Sequence, residues 1–322
     1  MKWKTKIFQT FRRRFYVYWS TQPILSAQDL AWRLGIPLPT IRELAGDVES
    51  HYHEWESVNI EKGKTRVLKV PDDLLKAVQR RILKNVLIEF PLPESAHGGV
   101  KGRSPKTNAE RHLGKSLVVN IDIRDFFPSV RHYEVAKLFC RDFGCGRETT
   151  WLLTRLTTVD GQLPQGAPTS TMIANVLLAI PVDEPLNRSA LQFDVEVTRF
   201  VDDFTLSGTN AEMLINKAAQ CVSTVGLRTW RKRRKLKITP NYKRQEVTGL
   251  TVNSTNGPSV SRDKRDRIRA AIHQLRTVTQ LEFDRSLASI KGRVNHVRQF
   301  NKGSAARLER QLNQVLGEIR NE

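Results

Sequence analysis

Residues 199–204 read RFVDDF, flanked by VEVT (195–198) before and TLSG (205–208) after. The alternation of apolar and polar residues on both sides predicts two strands joined by a tight turn, with Asp202 and Asp203 at its tip. Adjacent carboxylates repel, and burying them is costly unless a cation sits between them. Taken alone the pair is weak testimony, because acids at turns and helix caps are common.

Eighty residues upstream, SLVVNIDI (116–123) is a second strand pattern, with Asn120 and Asp122 on one face. Laid beside the RFVDDF hairpin, it would bring Asp122 against Asp202 and Asp203. Three carboxylates gathered this way suit Mg²⁺, which takes oxygen ligands and leaves room for substrate phosphates. Two such ions about 4 Å apart can clamp an in-line phosphoryl displacement. Phe127 either fills the space a ribose 2′-OH would need or is a core side chain. Gln165-Gly166 lies in LPQGAP (163–168), where glycine permits close approach to a ligand. By itself that loop reads as a turn.

Composition narrows the partners. The 322 residues carry 53 Lys and Arg against 33 Asp and Glu, a formal charge of +20. Such a balance points to a phosphate-rich polymer or an anionic surface. No apolar run approaches the roughly 18 residues that span a bilayer. Three cysteines (Cys140, Cys145, Cys221) make neither a disulfide framework nor a four-ligand zinc site, and a reducing, cytosolic setting follows. The amino terminus, MKWKTKIFQTFRRRFYVYW, reads as a nucleic-acid-binding arm or as a solvated helix face.

Residues 26–45 form either a helix-turn-helix about Gly35 or two small packing helices, the latter favoured because Arg42 is the one basic reader on the second helix. EKGKTRVLKVP (61–71) reads as a basic hairpin. Asp72 caps a helix whose stripe comprises Leu74, Leu75, Val78, Ile82, Leu83, Val86 and Leu87. HGGVKGRSPKTN (97–108) is loop, and Ser170 to Ala179 a buried helix. Residues 226–245 carry nine Lys or Arg and no acid. Helical patterns fill the remainder.

In order along the chain these segments resemble the palm of reverse transcriptases. NIDIRDFF (120–127) is similar to the first palm motif, LPQGAPTS (163–170) to the second and FVDD (200–203) to the third, with Phe200 in the place of a tyrosine. KGKTRVLKVP (62–71) resembles the basic fingers hairpin. Two further marks resemble the retron branch: Asn108-Ala-Glu-Arg-His112 ahead of the first palm motif, and Gln245-Glu-Val-Thr-Gly-Leu250 after the palm. Thr171 stands where a proline often follows Ser170. The lysine of the fourth palm motif is blurred within RKRRKLKI, and Lys235 is assigned to it.

The resemblance implies an α+β right-hand polymerase. Its parts would be a helical, basic extension (1–50), fingers with part of the palm (51–115), a palm of antiparallel sheet and helices with a basic insertion (116–254), and a small helical thumb (255–322). It implies a bacterial, cytoplasmic enzyme copying a structured non-coding RNA into DNA. Synthesis would start from a 2′-OH of that RNA and give a branched RNA–DNA hybrid (msDNA), with a separate effector in anti-phage defence. Asp122, Asp202 and Asp203 would be catalytic. With the Ile123 carbonyl they would hold two Mg²⁺ ions, for which Mn²⁺ can substitute. Lys62, Arg66, Phe127, Gln165 and Lys235 would bind the dNTP.

RNA contact is expected from Trp230, Arg231, Arg233 and Arg234, from the signature residues Asn108, His112, Val247, Thr248 and Gly249, and from Lys291 and Arg293. For His112 and Asn108 a structural role is an equal alternative, and Val247-Thr248-Gly249 can be a strand ending at glycine. The rival readings are an intron-type or other bacterial reverse transcriptase, a non-catalytic RNA-binding scaffold, and a DNA-binding regulator using residues 26–45.

Overall fold

The computed structural model describes residues 23–59, 64–230 and 236–321. The amino-terminal arm, Lys62, Arg231, Arg233, Arg234 and Lys235 lie outside the described residues. No described helix is long and apolar enough to cross a membrane.

The described chain opens with α1 (Ala27–Leu34) and α2 (Leu38–Gly46). Ser26 caps α1 by accepting the Asp29 N–H, and Gly35, at φ 61°, ends it in the left-handed conformation that glycine adopts without steric cost. Both helices bury their apolar faces, and Arg42 bonds Glu148 at 2.7 Å. Their buried residues, among them Leu30, Leu34, Ile41 and Leu44, join the first core. An antiparallel hairpin follows, β1 (Tyr52–Asn59) and β2 (Lys64–Pro71), with Tyr52 opposite Pro71 and Ser57 opposite Arg66. The first of these strands was not evident from the sequence.

Asp72 caps α3 (Asp73–Ile82) by accepting the Leu75 N–H at 2.8 Å. The helix continues through one π turn, Leu83–Leu87. Leu75, Val78, Ile82, Val86 and Leu87 are buried, but Leu74 is 52% exposed. Its direction, about 100° from Leu75, falls off the buried line formed by 75, 78, 82 and 86.

After α4 (Pro105–Glu110) comes β3 (Leu117–Asp122), then α5 (Phe126–Ser129), α6 (His132–Lys137), α7 (Arg147–Thr157), α8 (Ser170–Leu178) and α9 (Glu184–Gln192). The hairpin β4 (Glu196–Phe200) and β5 (Asp203–Ser207) is followed by α10 (Ile215–Ser223) and β6 (Leu236–Pro240). These four strands make one antiparallel sheet in the order β4-β5-β3-β6. The fully buried Val119, Phe204 and Leu206 of the sheet join α3, α7 and α8 in one core. Helix α8 is buried almost all round, as its apolar run predicts.

A second core joins the short ladder β7 (Glu246–Val247) and β8 (Leu250–Thr251) to α11 (Arg262–Gln274), α12 (Gln280–Arg298) and α13 (Lys302–Asn321). It begins at Val247 and takes in Ala109 and Val118. The fold class is α+β.

Candidate active site

The sheet places the acids by its register. Asp122, at the end of β3, is directly opposite Asp203, at the start of β5. Directly opposed residues of an antiparallel pair project to the same face, with Cα atoms about 4.5–5.5 Å apart. Phe200 and Asp203 close the β4–β5 hairpin, so Val201 and Asp202 form its two-residue turn. The Ile123 N–H donates to the Asp202 carbonyl at 3.0 Å, which fixes the turn beside the end of β3. Asp122 and Asp202 are half-buried and Asp203 is exposed.

The turn is strained. Val201 has φ 60°, a left-handed conformation that costs a β-branched residue about 1–3 kcal/mol. Positive φ at the first central position is the type II′ pattern, where glycine is the rule.

On the other side of β3, Trp230 donates its N–H to the Asp122 carbonyl at 2.9 Å, and Arg124 donates to the Arg228 carbonyl at 2.7 Å. These bonds bracket an antiparallel bridge between Ile123 and Thr229. Trp230 is thus the cross-strand neighbour of Asp122, and the Arg124 guanidinium lies 5.0 Å from its ring centroid. Among the described residues no three Asp, Glu, His or Cys side chains already converge as a finished cation site. The sheet instead supplies a backbone register that gathers three aspartates at one end. Their donor atoms are all oxygen, which fits a hard divalent cation.

The second motif is docked on the β1–β2 hairpin. The Gln165 carbonyl accepts the Lys69 N–H at 3.1 Å, tying the LPQGAP loop to β2. Gly166, at φ 132°, lets the loop approach, since a Cβ there would stand 3.0 Å from the Lys69 oxygen. A cavity of about 210 Å³ opens between β2, α5 and this loop, lined by Val67, Lys69, Pro128, Gln162, Pro164 and Gln165. Phe127, next to Pro128, is half-buried against the first core and meets Phe126 with ring centroids 5.5 Å apart. Arg66 lies on β2, on the strand that bounds the cavity.

Burial corrects part of the expected RNA surface. Asn108, His112 and Val247 are fully buried, so direct RNA contact through these side chains gives way to the structural alternative. His112 lies within hydrogen-bond distance of Ser207 Oγ (2.6 Å) and Thr198 Oγ1 (2.7 Å), spanning β5 and β4 from beneath. Burial and nearby cations push its pKa down to about 3, so the ring is neutral. Neither amide atom of Asn108 meets a hydrogen-bond partner among the described residues.

Thr248, at φ 48°, donates from its hydroxyl to the Pro105 carbonyl at 3.0 Å, and Val247 packs into the core that holds Ala109. The two signatures therefore pack on each other and join the sheet to the carboxy-terminal helices. Lys291 and Arg293 are exposed on α12, beside the buried Ile290 and Val294.

Comparison with known proteins accounts for this arrangement. Residues 56–257 match the reverse transcriptase (RNA-dependent DNA polymerase) family. The chain is 33% identical over 308 residues to the retron Mx65 reverse transcriptase of Myxococcus xanthus, covering 88% of this chain and 70% of that protein. It belongs to the bacterial retron reverse transcriptases. The retron Mx162 enzyme of Myxococcus xanthus is also 33% identical, over 83% of this chain and 62% of its own length. The retron Ec86 enzyme of Escherichia coli is 30% identical over 77% of each chain. The chain is accordingly an RNA-directed DNA polymerase, and the aspartates gathered by β3 and the β4–β5 turn lie on the segments that resemble the first and third palm motifs.

Arg199, beside FVDD in β4, is fully buried, and the local sequence carries no mark of it, because a polar residue in the alternating pattern of EVTRF reads as facing solvent.

Proposed function

We propose that this reverse transcriptase copies part of a partner structured non-coding RNA into DNA. Synthesis begins at a 2′-OH of that RNA and yields a branched RNA–DNA hybrid, which serves anti-phage defence with a separate effector in the bacterial cytoplasm. The observation that carries the polymerase chemistry is the register that sets Asp122 opposite Asp203, with Asp202 in the adjoining turn.

In this reading the β1–β2 hairpin is the fingers, the four-stranded sheet with its helices the palm, and α11 to α13 the thumb. Asp122, Asp202 and Asp203, with the Ile123 carbonyl, hold two Mg²⁺ ions. Ions held by these residues would supply Lewis-acid chemistry, lowering the pKa of an attacking hydroxyl and offsetting charge on a departing pyrophosphate. Arg66 with Lys62 and Lys235 neutralises the triphosphate. Gln165 faces the nucleotide from the loop docked on β2, and Phe127 excludes a ribose 2′-OH. Trp230 offers a face for stacking, while Thr248, Gly249, Lys291, Arg293 and the Arg231, Arg233 and Arg234 run meet RNA.

Purification of the full chain from cells carrying its RNA should recover an RNA–DNA hybrid. The double variant Asp202→Asn/Asp203→Asn should recover RNA alone. A DNA strand on that variant would remove the polymerase site from these residues.

A further inference from the structure

The buried Arg199 guanidinium draws three distant segments onto the catalytic turn. Its Nε and Nη2 donate to the two carboxylate oxygens of Asp183 at 2.8 and 2.6 Å. Nη1 donates to Asn175 Oδ1 at 2.8 Å and to the Val201 carbonyl at 2.9 Å. Asn175, on α8, donates in turn to the Gly98 carbonyl at 2.8 Å. The Arg199 backbone is held as well: its N–H donates to Ser95 O and its carbonyl accepts from His97 N–H, both at 2.7 Å. Gly98 lies so close that a Cβ there would stand 2.5 Å from Val201 N and Cγ2.

Stability alone does not explain this pair. Burying both ions is costly, and apolar residues of similar volume often replace such a pair without loss. What apolar residues cannot do is donate to the Val201 carbonyl. That carbonyl belongs to the residue held at φ 60°, immediately before Asp202. A β-branched residue stays in that conformation only when its surroundings over-determine it. The planar guanidinium is suited to the task, because it satisfies a carboxylate bidentately and still has donors for two further acceptors.

We propose that Arg199 is a positioning residue. Anchored by Asp183 and Asn175, it holds the Val201 carbonyl and so keeps the turn in the shape that sets Asp202 and Asp203 for divalent cations. The proposal rests on reading the three aspartates as the metal site.

The test replaces both ions, Arg199→Met with Asp183→Leu, so that no unpaired charge is left buried. Mn²⁺ binding to the full chain is measured by electron paramagnetic resonance, alongside the Mg²⁺ dependence of DNA synthesis, RNA affinity in chelator and the unfolding temperature. The expected result is at least tenfold weaker Mn²⁺ binding and at least a tenfold higher half-saturating Mg²⁺, with RNA affinity within about twofold. Adding Val201→Gly, which adopts the turn without a clamp, should regain most of the Mn²⁺ affinity. If the paired variant does not fold, Arg199→Lys keeps the charge beside Asp183 but lacks the fork, and carries the same comparison. Parent-like Mn²⁺ binding and Mg²⁺ dependence in the folded variant would overturn the clamp. Asp203→Asn separates the two ideas: parent-like Mn²⁺ binding there overturns the metal site itself, whereas weakened binding there beside unaltered binding in the Arg199 variants overturns the clamp alone.

Discussion

His112 makes acid stability a direct probe of whether its signature is structural. The ring is fully buried, with Ser207 Oγ at 2.6 Å and Thr198 Oγ1 at 2.7 Å. Its pKa falls from the ordinary 6.5 to about 3, first through burial and then through His97, Arg111 and Lys115. In the unfolded chain the ring takes up a proton below pH 6.5, while in the native protein it stays neutral until about pH 3. Its contribution to stability is therefore complete above pH 6.5 and lost progressively as the pH falls toward 3. The slope within that window is about 1.4 kcal/mol per pH unit, so acidification from pH 6 to pH 4 removes about 2–3 kcal/mol through this residue.

Urea unfolding of the parent and of His112→Gln, followed by tryptophan fluorescence at pH 7, 6, 5 and 4, isolates the effect. Other titrating groups are common to both proteins. The variant begins about 1–3 kcal/mol less stable at pH 7, because two buried hydroxyls lose their partner. The gap should then close by about 1.4 kcal/mol per unit below pH 6. Parallel curves from pH 6 to pH 4 would refute the neutral, buried histidine.

Two further outcomes test the site. Gly98→Ala puts a methyl 2.5 Å from Val201 N, a backbone atom that cannot swing away. Single-turnover DNA synthesis should fall at least tenfold while RNA affinity holds. Phe127→Ala should raise the kcat/KM for ribonucleotides relative to deoxynucleotides by at least tenfold, and an unchanged ratio would return Phe127 to a purely core role.

Local patterns were legible where one physical constraint dominates. The β-branched and apolar residues of SLVVNIDI and VEVTRF anticipated β3 and β4, whose side chains are buried on both faces of the sheet rather than on one. The apolar run from Ser170 anticipated α8, and Asp72 anticipated the cap of α3. Less legible was β1, YHEWESVN, whose polar residues mask a strand held by pairing with β2 rather than by a buried face. Asn108, His112 and Val247 were read toward RNA because polar and signature residues usually face ligands. Their burial follows from α4 lying between the sheet and the β7–β8 ladder, a placement without any local mark.

The order of the acidic, glutamine-glycine and basic motifs was enough for the resemblance to a polymerase palm, and the Asn108–His112 and Gln245–Leu250 signatures for the resemblance to the retron branch, since such a resemblance is carried by residue identity and needs no coordinates. Pairing Asp122 with Asp203, across 81 positions, is different in kind. A slip of one residue in β3 would send Asp122 to the opposite face of the sheet. That register is set by buried packing on the sheet and by the Ile123 and Trp230 backbone bonds, contacts between segments far apart in the chain, while the turn itself is held by the Arg199 bond to the Val201 carbonyl.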